Sequence, residues 1–86
     1  MDADSFYIVI ENDAPAIEEV PAADGKAVIL CAQPDLAKEG EKLERITYSD
    51  LALLLSSRDD IEFIRHRTYE GSRLRDKPNF LGEALS

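Results

Sequence analysis

Apolar and β-branched residues gather in short runs separated by polar stretches, and each run has its own period. Residues 6–10, Phe-Tyr-Ile-Val-Ile, are apolar at every position and bounded by acidic residues. This predicts a strand over 5–11 that is covered on both sides. Residues 26–32, Lys-Ala-Val-Ile-Leu-Cys-Ala, predict a second strand, which Gln33-Pro34-Asp35 closes. Residues 43–48 alternate loosely and predict a third, with Glu44, Ile46 and Tyr48 on one face. Leu51, Leu54, Leu55 and Arg58 fall at i, i+3, i+4 and i+7 and predict a helix over 49–58. Thr47 or Ser49 caps it, and Thr47 with Asp50 resembles a capping box. So short a helix does not persist alone in water and must pack on the sheet. Residues 61–67 predict a fourth strand. Strict alternation puts Ile61, Phe63 and Arg65 on one face and Glu62, Ile64 and His66 on the other.

Two segments lack such a period. Residues 11–25 carry Pro15, Pro21 and the turn pair Asp24-Gly25, and read as a long acidic loop pinned by Ile17 and Val20. Residues 68–86 are interrupted by Gly71, Pro78 and Gly82, and read as a C-terminal tail. Its apolar residues are Leu74, Phe80, Leu81 and Leu85; after a cap at Asn79, Phe80, Leu81, Ala84 and Leu85 would share one side of a final turn. The tail either folds back so that Phe80 and Leu81 cover the sheet, or serves a partner; the expectation is an interaction arm.

The fold class expected is therefore α+β: a small three- to four-stranded, mostly antiparallel sheet with one short helix on one face and a C-terminal tail. Residues 1–67 form the domain and 68–86 the arm. The expected core is Phe6, Ile8, Ile10, Val28, Leu30, Ile46, Leu51, Leu54, Leu55, Ile61 and Phe63. The total of 86 residues suits one domain and is too short for a large cofactor fold.

Charge sharpens this picture. The net charge is −8. Residues 1–25 hold seven acids, beginning with Asp2 and Asp4, and no Lys or Arg, whereas residues 65–77 hold five cations against two acids. An acidic third of this kind suits a basic partner surface, because complementary fields raise on-rates and select partners. Direct nucleic-acid binding is disfavoured, since the net charge repels phosphate.

Little else in the chain suggests chemistry. Cys31 sits in an apolar run and reads as a small buried hydrophobe. His66 lies between two arginines, which repel a metal and disfavour its own protonation. Glu18-Glu19 and Asp59-Asp60 are adjacent in the chain, so neither pair faces one site, and the glycines build no phosphate loop. No catalytic residue, metal ligand or cofactor is expected. The acidic start lacks the basic region of a signal peptide, and the apolar runs are far below a membrane span; with one cysteine, this points to the cytoplasm.

The function expected is non-catalytic protein binding. A small inhibitor or regulator would dock on a basic surface of a larger partner such as a nucleic-acid-binding protein, as antitoxins, immunity proteins and phage inhibitors do. The alternative is a structural subunit of a permanent complex or homo-oligomer. The partner-binding residues expected are Asp13, Glu18, Glu19 and Asp24 in the acidic loop, and Arg73, Leu74, Arg75, Phe80 and Leu81 in the tail.

Overall fold

The computed structural model describes residues 5–85. Asp2 and Asp4 lie outside the described residues, as do the side chains of Ala84 and Leu85. Strands β1 (Ser5–Glu11), β2 (Ala14–Pro15), β3 (Ile17–Val20), β4 (Gly25–Cys31), β5 (Lys42–Thr47), β6 (Ile61–Thr68) and β7 (Gly71–Asp76) form one sheet. Helices α1 (Tyr48–Ser57) and α2 (Lys77–Leu85) complete an α+β fold. This corrects the three- to four-stranded expectation: the described residues form seven strands and a second helix.

The sheet is forked. β5 pairs with β1 from Ser5 to Ile10, while β4 meets β1 only at Tyr7↔Cys31 and Ile8↔Leu30. Beyond that point β2 pairs with β1 at Ile10 and Glu11, and β3 pairs with β4 from Val28 to Gly25. The stretch read as a loop is thus a wedge filling the gap between two diverging strands. Asn12 and Asp13, both at positive φ, make the two-residue hairpin into it. Its prolines disguised it: Pro15 ends β2 and Pro21 opens a 3-10 turn, so each strand is too short to show a period.

β6 joins β4 in parallel, and β7 pairs antiparallel with β6 as an edge strand. β7 replaces the first half of the expected tail. Its sequence, Gly-Ser-Arg-Leu-Arg-Asp, is polar because edge strands carry charge, which deters unwanted pairing. The second half is α2.

α1 forms where the heptad-like spacing places it. Thr47 caps it, its Oγ1 accepting from the Asp50 N–H at 3.2 Å. Its Leu51 and Leu55 join Ile8, Val28, Leu30, Ile61, Ile64 and Phe80 in the main core, with Phe6, Ile10, Ile17, Ile46, Leu54 and Leu81 packed around them. Phe63 does not belong to this core. The β4–β6 register slips at its start, where Lys26 faces Ile61 but Ala27 faces Phe63. The bulge at Glu62 reverses the alternation, so Ile61 shares the core with Ile64, and Phe63 and Arg65 turn to the other side of the sheet. There Phe63 lies over Gly25, where an added Cβ would stand 2.7 Å from the ring. A smaller cluster of Val9, Ala16 and Cys31 covers part of that second face.

Candidate functional site

The parallel pairing of β4 with β6 brings two distant acidic stretches together. The end of β3 supplies Glu19 and the turn into β4 supplies Asp24; the turn before β6 supplies Asp60 and the start of β6 supplies Glu62. All four are exposed and line one open depression with Val20, Pro21, Gly25 and Lys26. Asp24 is held at positive φ as the cap of the 3-10 turn Pro21–Ala23, which aims the chain back into β4. Asp60 is bound by Arg58 through two hydrogen bonds, of 3.0 and 2.9 Å, and this holds its carboxyl below the ordinary value. Apart from that pair, the depression is lined by three carboxylates and the single cation Lys26.

The other expected acidic residues go elsewhere. Asp13 stands exposed at the hairpin tip. Glu18 lies on the second face, paired with Arg65 at 3.2 and 2.9 Å. Sequence reasoning named Glu19 and Asp24 but missed Asp60 and Glu62. Asp59-Asp60 read as a solvated turn, and a long-range parallel pairing leaves no local signal.

The basic stretch 65–77 is largely taken up by the fold. Arg67 reaches under the loop after β4, bonding Glu41 at 2.7 and 3.1 Å and approaching the Leu36 carbonyl and the Cys31 sulfur. Its guanidinium holds the Glu41 carboxyl below the ordinary range. Burial pushes the Cys31 thiol up, against the opposing pull of Arg67, so this cysteine is poorly suited to act as a nucleophile. Lys77 donates to the Leu55 and Arg58 carbonyls, at 3.2 and 3.1 Å, where α1 ends. Arg75 lies over the Phe80 ring, 5.3 Å from its centre. Arg73 is exposed, and its side chain makes no hydrogen bond or ion pair with another described residue.

Of the other tail residues, Leu74 is 38% exposed on β7. Phe80 is in the core, 3% exposed, and Leu81 packs against it. Phe80 of the expected arm therefore belongs to the folded body.

His66 points to the core side, edge-on to Phe6 at 5.6 Å. Its enclosed Nε2 has no hydrogen-bond partner among the described residues. Burial lowers its pKa from 6.5, and Arg75 and Arg73 on the neighbouring strand lower it further. Protonation therefore favours the unfolded chain. The sign follows: stability is full above the unfolded value and falls as pH drops through the lower folded value. Urea unfolding is expected to show a loss of stability as pH falls below about 6.5, the ordinary value, that His66→Gln removes. Glu41 acts in a separate window, below its ordinary 4.5.

Among the described residues, no group of three or more His, Cys, Asp or Glu side chains is arranged to hold a metal ion. None of the described helices is long and apolar enough to cross a membrane. Comparison with known proteins gives no match to a family model, a curated protein or a solved structure.

Proposed function

We propose that this protein is a non-catalytic binding module, a small inhibitor or regulator that docks its acidic depression on a basic surface of a larger partner, such as a nucleic-acid-binding protein. The observation that carries this reading is the convergence of Glu19, Asp24, Asp60 and Glu62 on one exposed site. The internal use of Arg65, Arg67 and Lys77 supports it as well. Each ion pair cancels a carboxylate along with its cation, Glu18 with Arg65 and Glu41 with Arg67, so these cations are engaged away from the depression and its own carboxylates stay exposed. Side chains left in water around a rim act chiefly on encounter, so the site would set association rate and partner choice more than dissociation.

The test uses a partner recovered from the native host at low salt. Replacing Glu19 and Glu62 with Gln and Asp24 and Asp60 with Asn is expected to slow association by about tenfold or more at low salt. The gap should close as added salt shortens the screening length to a few ångströms. Equal association rates at low salt would remove the reading.

A further inference from the structure

Among the described residues, the sheet ends on β7, which pairs only with β6. Such an edge strand turns alternate backbone N–H and C=O groups outward, a template for one more strand. A groove runs along this edge, lined by the consecutive residues Arg73, Leu74, Arg75 and Asp76 and flanked on the helix side by α2. α2 presents Pro78, Asn79 and Gly82 there, and a Cβ on Gly82 would meet nothing within 4 Å. The groove thus has a strand edge for one wall and a helix face without bulk at Gly82 for the other.

The charges on β7 select its occupant. Antiparallel pairing of β7 with a second copy about a twofold axis must centre on a residue. Centred on Leu74, it sets Arg73 against Arg75; centred on either arginine, it sets that arginine against itself; centred on Ser72, it avoids like charges but pairs only Gly71–Arg73 of the strand. Directly opposed like charges destabilise a strand pair, and opposite charges stabilise it. We propose that β7 is a strand-addition site for an extended acidic segment of a protein partner. Carboxylates at alternate positions would face Arg73 on the helix side, and an apolar residue would lie beside Leu74 on the opposite side of the sheet. This surface is separate from the acidic depression and does not depend on it.

The test titrates the full chain with two synthetic peptides, one alternating Glu and Val and one alternating Lys and Val. Amide exchange is followed along β7. The Glu-Val peptide is expected to protect β7 amides and to bind about tenfold more tightly than the Lys-Val peptide. Arg73→Glu should abolish that preference. Gly82→Leu should abolish binding without loss of stability, because it fills the groove while raising helix propensity. Four results would overturn the proposal: equal binding of the two peptides, no binding at millimolar peptide, binding that survives Gly82→Leu, or protection of β7 that rises with protein concentration in the absence of peptide. The last would assign the edge to a second copy of this chain.

Discussion

Ile64→Asn is expected to unfold the protein, whereas Phe63→Asn is expected to leave it folded. Ile64 is fully enclosed between the sheet and the helices. Losing its side chain costs about 2–5 kcal/mol, and a buried amide without a partner adds about 1–3. Together these approach the whole stability of a domain this size, about 5–15 kcal/mol. Phe63 is only partly buried and stands outside both apolar clusters. Strict alternation from Ile61 would require the opposite outcome. Denaturant unfolding followed by circular dichroism separates the two: a folded Ile64→Asn beside an unfolded Phe63→Asn would place the bulge at Glu62 in error.

Phe80→Ala is expected to lower stability by about 3–5 kcal/mol, which for a chain of this length lowers the melting temperature by roughly 12 °C or more. The ring is buried beside Phe6, with centres 6.0 Å apart, and stacks on Tyr48 at 5.6 Å with the planes 8° apart. The Tyr48 hydroxyl donates to the Phe80 carbonyl at 2.8 Å, fixing α2 against the start of α1. Removing residues 72–86 should be more damaging still, since it deletes β7 and exposes the flank of β6. A truncated chain that melts with the intact one would show that this segment contributes nothing to the core.

These two residues also mark how far the sequence could be read. The elements with strong local periods were legible: the apolar runs of β1 and β4, and the Leu51, Leu54, Leu55 stripe of α1 with its Thr47 cap. Ten of the eleven expected core residues lie in the main apolar cluster. Phe63 does not, because one extra residue in β6 shifts every later side chain to the other face, and nothing in the local pattern marks a bulge. β7 was hidden because an edge strand needs only one apolar residue, Leu74. β2 and β3 were hidden because two prolines cut a paired segment into pieces of two and four residues. The candidate site was half legible for a related reason. Glu19 and Asp24 stood out by charge, but Asp60 and Glu62 join them only through the β4–β6 pairing, a contact between stretches more than thirty residues apart.

The fold gathers acidic residues from both stretches into one exposed depression, proposed as the docking surface. A backbone amide footprint of the partner-bound protein tests it most directly. With partner recovered from the native host, the account predicts that the largest shifts fall together on residues 19, 24–26 and 60–62 and fade in the variant with all four carboxylates neutralised. A footprint centred on α1 or on the hairpin tip at Asp13, unchanged by that neutralisation, would contradict it.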